Sequence, residues 1–298
     1  MTLTVVTASY APDFPAFRRL HESVVAHSAE DVRHVVVVPD AHVELFHSLR
    51  SIRAEVRPYS DVLPRRILQT AWVQTLPGVP RGFRIAAVNL ARPWPPIRGW
   101  IMQQAVKLAL VSELTDDVAL LIDSDVVVVR ELTESAFRGP DGTVRLYRRP
   151  QGITEAMTRH VAQRTRAQQL LGLDAVEEGS PDYISAFVSW SPERVRDLLG
   201  HIEWVTGRRW FDAVAGSMDL SEYITYGTYV MTIADPAHRR FVRETSLCHS
   251  HWGRTPLTMH TAREFITALR PDDLAVHVQS NSSTDEDVLR FVAQAAKA

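Results

Sequence analysis

The chain has 298 residues, with 33 Lys and Arg against 35 Asp and Glu, a formal net charge of −2 and one cysteine. Its basic residues are spread rather than clustered, so the positive footprint of a nucleic-acid binder is missing, and Cys248 alone excludes an internal disulfide framework. The opening Met-Thr-Leu-Thr-Val-Val has neither the basic start nor the long apolar stretch of a secretion signal, and no apolar run is long enough to span a bilayer. A cytoplasmic location without a nucleic-acid partner is therefore expected, with only peripheral membrane association through an exposed helix left open.

The first 130 residues alternate strand-like and helix-like segments, the pattern of parallel strands joined by crossover helices. Residues 3–7 read as a strand, 14–26 as a helix, 35–38 as a strand, 40–48 as a helix with Asp40 as its cap, and 54–57 as a short strand. No G-x-G-x-x-G follows the first strand, which argues against dinucleotide binding. Pro77, Pro80, Pro93, Pro95 and Pro96 predict a long loop without regular structure over 76–99. Residues 99–113 are strongly helical, and Gln103 and Lys107, four apart, share one face.

Further on, 155–171 reads as a polar helix and 183–190 as a strand. Ser191-Pro192 reads as a cap and first turn of a helix reaching 206. Two helical segments fall within 208–230. Thr261 with Glu264 fits a capping box, as does Ser283 with Glu286, and 274–278 is a late strand before a closing helix to about 296. No repeat or shift in composition marks a linker, so one continuous α/β domain over 1–298 is expected, its mostly parallel Rossmann-like sheet flanked by helices.

The most informative stretch is Ala119-Leu-Leu-Ile-Asp-Ser-Asp-Val-Val-Val-Val-Arg130. A run of Val, Ile and Leu of this kind is a strand buried on both faces, where an unpaired carboxylate is expensive, yet Asp123 and Asp125 interrupt it. Oxygen ligands for a divalent cation at the carboxyl end of a central strand answer that cost, and ligands bind open α/β sheets at that edge. Spacing alone does not decide it: Asp285 and Asp287 are also one residue apart, but there they fall in a first helical turn, where the macrodipole favours acids.

A D-x-D closing a strand in an α/β chain of this size resembles the GT-A glycosyltransferases. Trp100-x-x-Gln103-Gln104-x-x-Lys107 and Ser221-Glu222-Tyr223-x-x-Tyr226-Gly227 resemble motifs of a poorly characterised bacterial GT-A-like group. The resemblance implies a metal-dependent transfer of a sugar from a nucleotide-sugar donor to a hydroxyl acceptor, either a small molecule or a glycan. It makes 1–130 the donor half and 131–298 the acceptor half. Asp125 would hold Mn²⁺ or Mg²⁺ on the donor diphosphate, and Asp123 would share the metal or face the ribose or sugar. A histidine from the second half would complete the shell, with His277 and His251 ahead of His249. Thr7, Ala8, Ser9, Tyr10, Asp40 and Ser124 would lie around the nucleoside. Gln103, Gln104 and Lys107 would read sugar hydroxyls and a phosphate.

Glu222, in an aromatic neighbourhood that raises a carboxyl's pKa, is the candidate acid or base, and Asp182 is the reserve. The ordinary alternative is a helix capped by Ser221 or Asp219, with Glu222 decorating its first turn. A haloacid-dehalogenase-type phosphatase also uses D-x-D, but on its first strand and followed by Gly-Thr. A nucleotidyltransferase normally opens with a Gly-rich basic loop, and Thr7-Ala-Ser-Tyr-Ala-Pro-Asp13 is neither.

Overall fold

The computed structural model describes residues 2–70, 85–174 and 180–297. The first third builds β1 (Leu3–Ala8), α1 (Phe14–Ala26), β2 (Arg33–Val38), α2 (Val43–His47), β3 (Ala54–Pro58), α3 (Tyr59–Val62), β4 (Ile67–Gln69), β5 (Ile85–Asn89), β6 (Ile97–Arg98) and α4 (Gly99–Glu113). The middle supplies β7 (Val118–Ile122), β8 (Val126–Val128), α5 (Glu134–Phe137), β9 (Leu146–Tyr147), α6 (Thr158–Leu171) and β10 (Phe187–Trp190). The remainder is α7 (Pro192–Thr206), α8 (Trp210–Ala215), α9 (Glu222–Thr232), β11 (Val242–Arg243), β12 (Cys248–His251), α10 (Met259–Thr267), β13 (Ala275–Val278) and α11 (Glu286–Ala295).

The main sheet runs β10-β7-β1-β2-β3, with β1, β2, β3 and β7 parallel and β10 antiparallel to β7. Every residue of β7 is buried, as expected for a centre strand covered on both faces. On one face α4 packs with α7 and α8, filling the core with Met102, Val106 and Leu110; on the other, α1 contributes Phe17 and Leu20. Burial of such side chains is worth about 1.5–3 kcal/mol each and dominates what holds the layers together. Just past Asp123 and Asp125 the chain changes sheet: β8 pairs antiparallel with β13, which pairs parallel with β12.

Several local expectations need correction. Proline does not keep the whole of 76–99 irregular: β5 is proline-free and pairs with β4 and β6, while Pro93, Pro95 and Pro96 fall between strands. Pro77 and Pro80 lie outside the described residues. The strand expected over 183–190 shortens to β10 because Asp182 Oδ1 accepts the Ile184 amide and turns the chain there. Asp40 does not cap the helix that follows it; its carboxylate accepts the amide of Ser60, in the first turn of α3, at 3.0 Å. The capping box of α10 is Thr258 with Thr261, one turn earlier than read. Ser283 sits at φ +55 outside any box, and Glu286 pairs with Arg19 at 2.7 Å. Among the described residues no helix is long and apolar enough to cross a membrane.

Candidate active site

A cleft of about 740 Å³ opens at the carboxyl end of β7. Its floor carries Asp123, Ser124 and Asp125, and its walls come from the start of α4, the start of α6, the start of α9 and the turns after β12 and β13. Ala8, Gln103, Gln104, Lys107, Asp182 and Glu222, all expected from the sequence, border the same space.

The centre of the floor is a buried ion cluster. Lys107 rises from α4 and its Nζ donates to Asp123 Oδ1 at 3.1 Å, Glu222 Oε1 at 3.2 Å and Tyr223 Oη at 2.9 Å. Burial alone would depress the lysine pKa; Asp123, Tyr223 and Glu222 outweigh it and hold the ammonium well above its ordinary value. Glu222 is also raised, above an ordinary carboxylate, because burial exceeds what Lys107 restores. The lysine therefore organises the acids instead of reaching freely into the cleft.

Local sequence explains how Glu222 comes to be buried there. Ser221 caps α9, its side chain accepting the Ile224 amide, so the alternative reading of a capped first turn is structurally correct. That turn is nonetheless internal: Tyr226 stacks on Trp190 with ring centres 4.7 Å apart, and Tyr223 meets the same indole edge-on. Gly227 lets α9 approach Tyr183 so closely that a Cβ there would collide with the ring. Gln104 Oε1 accepts the Glu222 amide at 2.9 Å, so its carbonyl end is committed to seating α9.

Beside this cluster, Asp125 Oδ2 accepts the Ser280 amide at 2.9 Å and Oδ1 lies 3.3 Å from His277 Nε2. Burial would raise the Asp125 pKa, and the His277 contact and the Ser280 amide together bring it below the ordinary carboxylate value. His277 Nδ1 is buried without a partner among the described residues, and Trp252 packs on the ring at 4.5 Å. Asp13, which follows β1, completes a run of acids: burial and then the fields of Asp125 and Asp123 push its pKa up to about 6.

Other expected residues are not brought to the cleft. Thr7 is buried, donating to Ile122 O at 2.9 Å and bonding His34, while Ser9 accepts from Ser124 Oγ at 3.0 Å. Tyr10 and Asp40 do not line it, Asp40 bordering a separate hollow with Ser60 and Gln69. His251 turns its Nε2 onto Thr255 O at 3.0 Å, leaving His277 as the histidine at Asp125. Asp182 is buried and paired with Arg149 at 3.1 Å, which ties up the reserve acid. Asp13, Arg159, Gln163 and Arg254 border the cleft without having been anticipated. Only Trp252-Gly-Arg254, a polar turn directly after a candidate histidine, carried a signal for them.

Asp125 with His277 is the pair whose spacing suits a divalent cation. Two ligands at right angles, each about 2.1 Å from Mg²⁺ or Mn²⁺, stand about 3 Å apart, close to the Asp125–His277 separation. Among the described residues no three His, Cys, Asp or Glu side chains converge on one metal position. Such an incomplete set suits an ion that keeps waters and takes the rest of its shell from substrate phosphates.

Residues 1–280 match the model of a family of unknown function, DUF6492. The chain belongs to this family. No curated protein matches it. Three solved structures are similar to this DUF6492 member. Mouse xyloside xylosyltransferase 1 in its apo form is 13% identical, with a TM-score of 0.49 over 94% of this chain and 98% of that one. An active-site mutant of LgtC is 12% identical, with a TM-score of 0.45 over 98% and 95% of the two chains. The bifunctional glycosyltransferase WbbM in its apo form is 12% identical, with a TM-score of 0.46 over 93% of this chain and 45% of that one.

Proposed function

We propose that this chain, acting as one catalytic unit over 1–298, is a GT-A-type glycosyltransferase. It moves a sugar from a nucleotide donor to a hydroxyl of a small-molecule or glycan acceptor. The observation that carries the reading is the division of labour on the cleft floor. Asp125 faces His277 at ligand spacing, while Asp123 and Glu222 share one buried lysine.

Asp125 and His277 would hold Mn²⁺ or Mg²⁺, with Asp123 turned toward the same ion or the donor ribose. The bound ion would neutralise the negative charge that develops on a departing diphosphate, an effect worth several kcal/mol. Arg254 lines the same end of the cleft and makes no ion pair among the described residues, so its guanidinium is available to a phosphate. Glu222 takes the proton of the acceptor hydroxyl. Its burial raises its basicity, and Lys107 keeps the carboxylate form populated and fixed in direction. Gln103, half-buried one turn before Lys107 on α4, borders the cleft and would bond sugar hydroxyls.

The test is a panel of nucleotide sugars and free nucleotides, followed by thermal shift with and without Mn²⁺ and by product analysis. A donor should raise the melting midpoint only with the metal. Asp125→Ala should lose that shift. Glu222→Gln should keep the shift while transfer falls about a hundredfold or more, the range for a general base. Full metal-dependent donor binding in Asp125→Ala would defeat the proposal.

A further inference from the structure

α6 begins without a cap. Met157 precedes it with no side-chain bond, and the amides of Thr158, Arg159 and His160 have no acceptor among the described residues. A helix of 14 residues presents free N–H groups and the positive end of its dipole there, and Met157, Arg159 and His160 border the cleft. The Arg159 guanidinium is laid over the Trp100 ring at 4.2 Å and has no acid partner among the described residues. Nearby Arg149 differs, being already neutralised by Asp182.

A second observation comes from inside the same wall. Gln163 is 3% exposed and borders the cleft, and its side-chain amide has no hydrogen-bond partner among the described residues. A nearly buried side-chain amide left unpaired is costly, and a ligand hydroxyl bonded to it offsets that cost. Free amides, an unpaired guanidinium and an unpartnered side-chain amide on the cleft wall together describe a ligand that is both anionic and polyhydroxylated.

We propose that the start of α6, with Arg159 and Gln163, is the acceptor subsite, and that it takes a saccharide bearing a carboxylate or phosphate group. The inference rests on the glycosyltransferase reading for the word acceptor. The donor phosphates of that reading belong to Asp125, His277 and Arg254, so the cationic start of α6 serves a second anion. The anionic group of the ligand lies against the amides of residues 158–160 and Arg159, and a ring hydroxyl bonds the Gln163 side-chain amide.

The experiment is calorimetric titration of the full chain, without nucleotide or Mn²⁺, using D-glucuronate, D-glucose 6-phosphate and D-glucose. One charged sugar should bind at least about tenfold tighter than glucose, the size of one charge-assisted hydrogen bond, and which one it is identifies the anion. Arg159→Ala, a change at an exposed side chain, should abolish that advantage. Gln163→Leu, which keeps the buried volume, should weaken all three sugars several-fold. Equal binding of glucose and both charged sugars, or an unchanged preference in Arg159→Ala, would overturn the subsite. Charged-sugar binding through Arg159 in a chain that shows no metal-dependent nucleotide binding would instead remove the glycosyltransferase reading and leave the subsite standing. Normal nucleotide binding with no charged-sugar preference would do the reverse.

Discussion

Lys107 Nζ stands 3.2 Å from Glu222 Oε1, joining α4 to α9 inside the protein. Both side chains are buried, so removing one leaves the other as an uncompensated charge in a poorly polarisable setting. Lys107→Met should therefore cost about 3–5 kcal/mol, read as a lower midpoint in urea denaturation. Because the folded pKa of this lysine is raised, its contribution is fully present below the unfolded value of about 10.4 and is lost only as pH climbs through the higher folded value. The gap between wild type and Lys107→Met should thus stay level from neutral to mildly alkaline pH. A gap below about 1 kcal/mol at pH 7 would mean that the cluster contributes no more than a surface pair.

Asp13 behaves in the opposite sense. Its folded pKa of about 6 lies above the ordinary carboxylate value, so the folded state prefers the protonated form and loses stability as pH rises between the two. Asp13→Asn should then stabilise the metal-free protein at pH 8, by about 1 kcal/mol once solvent screening is allowed for, and change little at pH 4. Differential scanning calorimetry at the two pH values measures this. An equal effect at both would show that charge is not the cause.

His277→Gln addresses the metal end of the floor. Glutamine retains a polar group near Asp125 but loses the imidazole nitrogen, and affinity for Mn²⁺ should fall at least about tenfold, judging by losses seen even for outer-shell partners. Water-proton relaxation during Mn²⁺ titration reads it directly. Undiminished Mn²⁺ affinity would separate His277 from any ion.

Gly227→Ala tests how tightly α9 must seat. The added methyl meets the Tyr183 ring, which is itself buried, so helix or ring must shift. A loss of about 1–3 kcal/mol is expected from the overpacking. Transfer activity should suffer beyond that loss, since Glu222 begins the same helix; intact activity at a temperature where the variant is fully folded would disconnect α9 packing from the site.

What could be read from the chain alone follows from the range of the forces involved. β7 and its acids were legible because a run of Val, Leu and Ile broken by two carboxylates is a local contradiction, and Glu222 stood out because aromatic residues surround it in sequence. α1, α4 and α7 were placed by periodicity and by the Ser191-Pro192 start. Asp13 and Gln163 were missed because nothing near them in sequence marks them; only packing brings Asp13 toward Asp125 and leaves Gln163 unpartnered. Lys107 was placed on the cleft, but its commitment to Glu222, 115 residues away, could not be seen in a helical face. The histidine choice was likewise tertiary: β12 and β13 both offered one, and the antiparallel pairing of β13 with β8 put His277 opposite Val126, next to Asp125.

The change of sheet from β7 to β8, with Asp123 and Asp125 in the connection, gives the D-x-D a mechanical character. Asp123 is anchored through Lys107 to the five-stranded layer, whereas Asp125 is anchored through His277 and Ser280 to the three-stranded one. The two acids are thus jaws mounted on separate plates, with Ser124 as the rivet between them. A ligand held by both acids would therefore join the two sheets, and its binding would depend on how those sheets sit against each other.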